Sequence, residues 1–147
     1  MISEIRVKKL DPRATLPRFG SEYAAGADLV ARLDAPLTIE SGETVLVHTG
    51  LAMEIPEGYG GFIYARSGLA SKRGLAPANK VGVVDADYRG EVMVALYNQS
   101  KTAQVIEDGE RIAQLVIAPF LRVTYTESDE LSDTVRGTGG FGSTGRK

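Results

Sequence analysis

Gly82-Val83-Val84-Asp85-Ala86-Asp87-Tyr88-Arg89-Gly90 reads as a short, buried-looking apolar strand that delivers two acids and a tyrosine into a tight turn, with a valine-rich run over residues 91–98 behind it. Strand, turn, strand is therefore the local unit. Outward from this hairpin the same alternation of valine- and isoleucine-rich runs with turn chemistry recurs at residues 5–10, 38–39, 44–53, 61–65, 103–106, 111–119 and 122–126. Asp11-Pro12, Ser41-Gly42, Pro56-Glu57-Gly58, Asn98-Gln99-Ser100 and Glu107-Asp108-Gly109 punctuate the runs, and a further turn is expected over Asp87-Tyr88-Arg89-Gly90. No long amphipathic helix interrupts them. The pattern predicts an all-β fold, a jelly-roll-like β-sandwich or barrel with one short helix and a flexible glycine-rich C-terminal arm.

The helix is expected within Ser67-Gly68-Leu69-Ala70-Ser71-Lys72-Arg73-Gly74, with Ser67 as N-cap and Gly74 as the stop. Arg66 precedes it, so the segment reads either as a phosphate-binding helix start or as a capped surface helix with a solvated arginine. Gln114 is the one polar side chain inside the apolar strand Arg111-Ile112-Ala113-Gln114-Leu115-Val116-Ile117. Its amide needs partners, either neighbouring backbone or a pocket. At the hairpin, Asp85 sits at a strand end, where an acid beside an apolar pocket can take a proton from water; Asp87 is assigned to stabilising the turn.

The composition bounds the function. A chain of 147 residues with 43% hydrophobic content suffices for one core. Residues 1–126 are expected as the β domain, and residues 127–147 as a C-terminal arm and lid without independent fold. A formal charge of -2 offers no basic field for a polymeric nucleic acid, so any phosphate ligand is small and locally held. There is no cysteine and a single histidine, His48, which removes thiolate and multi-histidine zinc sites. His48 lies away from every motif and reads as structural. No apolar run reaches the length of a membrane span and the N-terminal residues lack an apolar signal core, so a cytoplasmic protein without membrane contact is expected.

The tail Arg136-Gly137-Thr138-Gly139-Gly140-Phe141-Gly142-Ser143-Thr144-Gly145 combines a cation, flexible glycines, an aromatic ring and hydroxyls. It reads either as a frayed end or as a mobile lid for a nucleotide, with Arg136 gripping an oxyanion and Phe141 stacking on a base. Gly137-x-Gly139-x-x-Gly142 matches the spacing of the dinucleotide fingerprint, but the helix and acidic residue that fingerprint needs downstream do not follow.

Five segments in order, Ala25-Gly26-Ala27-Asp28-Leu29, Arg66-Ser67-Gly68-Leu69-Ala70, residues 79–90, Gly109-Glu110-Arg111-Ile112-Ala113-Gln114-Leu115 and the glycine tail, give a chain that resembles the homotrimeric all-β dUTPase family, nearly end to end. The resemblance implies hydrolysis of dUTP to dUMP and pyrophosphate by water attack on the α-phosphorus, which limits uracil incorporation into DNA and supplies dUMP for thymidylate synthesis. It implies Asp85 as the base that orients and deprotonates the water. Asn79 and the backbone of Val83, Val84 and Asp85 would read uracil in a hairpin too narrow for a 5-methyl group. Tyr88 would lie beneath the deoxyribose and exclude a 2'-hydroxyl, with Met93 lining the same pocket. Arg66, Ser67, Gly68 and Gln114 would hold the phosphates; Arg136, Gly142, Ser143 and Thr144 would close over them, and Phe141 over uracil. Asp28 would act on Mg²⁺ through water, the ion being held mainly by substrate phosphates. The active sites would be shared between the subunits of a homotrimer, one giving the Arg66 and Gln114 segments, another the hairpin and the third the lid.

The sequence departs from that family at Ala65, where proline is frequent, and at Ala24-Ala25, where serine-alanine is common. A dCTP deaminase of the same superfamily is the near alternative, but it needs an additional glutamate at the base pocket, whereas Arg66-Ser67-Gly68 takes the nucleotidohydrolase form. A non-enzymatic trimeric β module is the other alternative, and it has no use for Asp85.

Overall fold

The structure is a computed structural model that describes residues 4–143. Twelve strands and one helix follow in the order β1 (Arg6–Lys9), β2 (Arg18–Phe19), β3 (Ala27–Val30), β4 (Leu37–Ile39), β5 (Thr44–His48), β6 (Leu51–Glu54), β7 (Tyr59–Tyr64), α1 (Ser67–Arg73), β8 (Leu75–Pro77), β9 (Gly82–Val84), β10 (Met93–Asn98), β11 (Gln104–Ile106) and β12 (Arg111–Pro119). The largest sheet has the order β2-β3-β12-β7-β9; the others are β5-β10-β8, β11-β4 and β1-β6, and every pairing is antiparallel. This is the expected all-β, jelly-roll-like architecture.

Period-two patterning explains why these runs form sheets. In β10, Val94, Leu96 and Asn98 point inward while the residues between them stay half-exposed. The inward side chains merge with Leu29, Ile39, Val47, Ile63, Leu75, Ile106, Ile112 and Leu115 into one core. Burying one such aliphatic side chain is worth about 1.5–3 kcal/mol. Asn98, fully buried, survives there because all its capacity is used. Its amide nitrogen donates to the carbonyls of Ile39 at 2.9 Å and Thr102 at 2.8 Å, and its oxygen accepts from the Ser100 amide at 2.9 Å and hydroxyl at 2.7 Å.

The structure corrects several readings of the sequence. Residues 44–53 form two strands in different sheets, because Gly50 adopts φ +68° and turns the chain between β5 and β6. β9 starts only at Gly82, since Lys80 sits in the left-handed region at φ +65°. Residues 122–126 pair with nothing among the described residues, whereas β2, β3 and β8 were not anticipated. In α1 the N-cap is Arg66, with extended backbone and no capping side chain, so Ser67 is the first helical residue; Gly74 does end the helix, at φ +68°.

After β12 the Phe120 amide donates to Gly58 O at 3.1 Å. Beyond it, residues 121–138 are all exposed, and the hydrogen bonds of residues 121–143 among the described residues stay within the arm.

Candidate active site

Sheet register assembles the first half of the site. Gln114 in β12 lies opposite Asp28 of β3 on one side and Tyr64 of β7 on the other. Its amide nitrogen donates to Ala65 O at 2.9 Å, which fixes the backbone just before Arg66. The Gln114 amide fits only because residue 26 is glycine: a Cβ there would lie 2.5 Å from Gln114 Oε1. The polar strand residue therefore bonds to backbone, and in doing so it aims the Arg66 loop.

Arg66 Nε donates to Asp28 Oδ1 at 2.8 Å, and Arg111 Nη1 donates to Asp28 Oδ2 at 3.2 Å. Arg66 also reaches Arg111 O at 3.4 Å. One carboxylate, with a side chain only 17% exposed, thus holds two guanidinium groups side by side. Each arginine keeps further donors free, since a guanidinium carries five N–H groups. Arg66, Gly68, Leu69, Lys72, Arg73, Glu110 and Arg111 line a groove of about 420 Å³. Arg73 is committed to Glu110 and Gln104, which leaves Arg66, Lys72 and Arg111 as the cations available to an anion. Ser67 and Gly68 are exposed beside Arg66. Arg111 was not singled out in the sequence as a site residue, because its partner Asp28 is 83 positions away; the signal was its place in the Gly109–Leu115 segment. Lys72 was missed as well, although it follows Arg66 within two helical turns.

The second half is the hairpin. β9 pairs with β7 through Gly61↔Val84, Phe62↔Val83 and Ile63↔Gly82, and Asp85 follows at the strand end. The turn closes from the Tyr88 amide to Asp85 O at 3.1 Å, so it spans residues 85–88 rather than 87–90. Asp87 does not cap it. Arg89 does, donating from Nη1 to Ala86 O at 2.6 Å and Tyr88 O at 3.0 Å. Asp85 and Asp87 are both exposed, and neither carboxylate takes a hydrogen bond or ion pair among the described residues. Val84 is buried and Val83 is 63% exposed. Asn79 sits over Gly82, its amide nitrogen 3.5 Å from where a Cβ on that glycine would lie. Met93 is half-buried opposite His48. Asp85 opens onto a groove of about 760 Å³ whose walls include Glu54, Ala86, Arg89, Phe120 and Arg122.

The two halves lie at opposite ends of β7. Asp85 follows the partner of Gly61, and Arg66 is five residues beyond Gly61, so at about 3.3 Å per residue they are roughly 15–20 Å apart. The third group of residues is in the arm. Arg136 Nε donates to Gly139 O at 2.8 Å, and Phe141 is wholly exposed at φ +50°. Gly142 and Ser143 follow in a turn closed by the Ser143 amide on Gly140 O; Thr144 lies outside the described residues.

Among the described residues no group of three or more His, Cys, Asp or Glu could cage a metal ion. The residues present instead fit an ion that arrives with oxygen ligands of its own. Asp28 has one lone pair left on each oxygen for a bridging water. Among the described residues no helix is long and apolar enough to cross a membrane.

Known proteins match this chain over almost its whole length. The chain is 51% identical over 149 residues to the deoxyuridine 5'-triphosphate nucleotidohydrolase of Desulfitobacterium hafniense, covering 98% of this chain and 99% of that one. It superimposes with a TM-score of 0.89, at 30% identity, on a Staphylococcus bacteriophage 80alpha dUTPase solved with dUPNHPP, covering 98% and 99% of the two chains. A dUTPase from phage phi11 of S. aureus, described for its coordination of a structural Mg(II) ion, matches with a TM-score of 0.78 at 25% identity over 86% of this chain and 97% of that one. The dUTPase family model spans residues 12–145, which makes this chain a member of the dUTPase family.

Proposed function

We propose that this chain hydrolyses dUTP to dUMP and pyrophosphate, at sites that two or more copies of it complete together in a homotrimer. The observation that carries the reading is the division of labour along β7. A cationic groove for a polyphosphate stands at one end, and an unengaged carboxylate for activating water stands at the other, too distant to meet within one chain. A second copy supplies the missing half; the C-terminal arm, which over residues 127–143 pairs with no strand, adds a third.

In the assembled site, Arg66 and Arg111 grip the phosphates with the donors Asp28 leaves free, and Ser67, Gly68 and Gln114 line the same path. Phosphoryl transfer asks a protein mainly for position and charge neutralisation. Asp28 would hold a Mg²⁺ ion through water, and the ion would supply further charge neutralisation. Asp85 accepts the proton of the attacking water as that water adds to the α-phosphorus, and pyrophosphate leaves. Asn79 and the main chain from Val83 to Asp85 read the uracil edge, Tyr88 lies under the deoxyribose and Met93 borders the pocket. Arg136, Phe141, Gly142, Ser143 and Thr144 close over the nucleotide and exclude bulk water. We place the reaction in the cytoplasm.

Pyrophosphate release from dUTP, dTTP, dCTP and UTP, each with and without Mg²⁺, tests the reading. The expected result is strong turnover of dUTP alone, dependent on the metal. Ammonia release from dCTP, or tight dUTP binding without turnover, would overturn it in favour of a deaminase or a binding module.

A further inference from the structure

In the hairpin, the backbone at residue 90 does not require a glycine. Gly90 is absent from the glycines with positive φ, yet a methyl group on it would lie 2.5 Å from Tyr88 Oη, 2.6 Å from Cζ and 2.9 Å from Cε2. The Tyr88 ring is folded back over its own chain, occupying the space a side chain at residue 90 would take. Its hydroxyl donates to Glu91 O at 2.8 Å, so the ring is held at its edge and at its tip.

The carbonyl that receives this hydroxyl is itself tethered. Glu91 Oε1 accepts from the Gly50 amide at 2.8 Å, and Glu91 Oε2 pairs with His48 Nδ1 at 2.9 Å. One contact is to the last residue of β5 and the other to the turn between β5 and β6, which is itself bonded to its neighbours. Gly50 O receives the Leu10 amide at 2.8 Å, and the Leu51 carbonyl receives the Val92 amide at 2.8 Å. The fully buried Thr49 donates its hydroxyl to Val92 O at 2.5 Å. Bonds from a carboxylate to backbone N–H groups are among the stronger ones a protein makes. His48, which the sequence leaves as a lone structural histidine, is thus part of the anchor for the hairpin.

The geometry points to Glu91 and Gly90 as the positioning residues that set the Tyr88 ring, and through it the rejection of ribonucleotides. The inference rests on the reading above that Tyr88 lies beneath the deoxyribose. An apolar surface rejects an added hydroxyl by only about 10²-fold, and only when it is held close enough to clash. A ring free to swing loses that selectivity without losing the substrate it normally accepts. Gly90 leaves room for the ring, and Glu91 stops it from drifting.

The test is kcat/KM for dUTP and for UTP, by pyrophosphate release with Mg²⁺, for Gly90→Ala, Glu91→Ala, Glu91→Gln and Tyr88→Ala, with thermal unfolding followed alongside. Gly90→Ala and Glu91→Ala should each raise the UTP to dUTP ratio about tenfold, chiefly through a lower KM for UTP, with kcat for dUTP within about threefold of wild type. Glu91→Gln should stay within about twofold, because its amide oxygen still accepts from the Gly50 amide. If Tyr88→Ala relaxes the ratio while Gly90→Ala and Glu91→Ala leave it unchanged, this inference fails and the reading of Tyr88 stands. If Tyr88→Ala leaves the ratio unchanged, the deoxyribose assignment itself is wrong and the inference falls with it. A uniform loss of kcat for both nucleotides in Glu91→Ala, with the ratio intact in Gly90→Ala as well, would reduce Glu91 to a structural tie.

Discussion

The groove around Arg66 and the arm that carries Arg136, which we propose both meet phosphate, are built in opposite ways. Arg66 and Arg111 are fixed before any ligand arrives, by Asp28 between them and by Gln114 beneath the loop. Among the described residues Arg136 bonds only to Gly139, within its own turn, and Phe141 is wholly exposed. In the groove the cost of ordering the side chains is met by folding of the β-sandwich. In the arm it must be met by the nucleotide. Affinity for phosphate should therefore reside in the groove, while the arm should act on closure and turnover.

The largest expected effect removes the one group that neither region can replace. Asp85→Asn should retain dUTP binding and lower kcat by about 10²–10⁴-fold, the usual worth of a general base; isothermal titration and pyrophosphate release measure the two separately. Wild-type turnover in that variant would leave the arm and the groove as the whole of the chemistry.

Deleting residues 136–147 should lower kcat/KM by about 10²-fold while leaving the melting temperature within about 2 °C of wild type, because among the described residues 136–143 make no hydrogen bond to the sandwich. A large drop in melting temperature would mean that the arm is part of the fold and the contrast is false. Asp28→Asn attacks the other side: Arg66 and Arg111 lose their shared anchor, and kcat/KM should fall about tenfold with most of the change in KM. If kcat carried the loss instead, the groove would be doing the work assigned here to the arm. Phe141→Ala is the finest probe. Loss of one stacking contact should cost about 1 kcal/mol, about fivefold in kcat/KM, as measured by steady-state kinetics.

Much of this contrast is legible in the sequence, for physical reasons. Period-two runs bounded by turn residues identify the sandwich, and the glycine-rich tail identifies a segment unable to pack. What pattern alone misses depends on long-range neighbours. Residues 44–53 look like one strand until Gly50 takes a left-handed turn and sends the halves to different sheets. β8 contains Pro77 and β3 has only four residues, too short to signal alternation. Ser67 has the chemistry of an N-cap, but Arg66 takes that position with its backbone extended. Arg111, Glu91 and His48 acquire their roles from Asp28, Gly50 and one another, none of them near in sequence. The place of Asp85 at a strand end is legible because it is local; its separation from Arg66 is not, because that distance is set by the register of β9 on β7.

That separation is also where the account is most directly tested. Asp85→Asn and Arg66→Ala chains, each inactive alone, should recover activity when co-expressed and purified as mixed assemblies, because one chain supplies the carboxylate and another the guanidinium. Random assortment in a site drawing these two groups from different chains predicts recovery of about one quarter of wild-type turnover of dUTP. Mixed assemblies that remain as inactive as either parent would place both residues in one chain's own site and contradict the account.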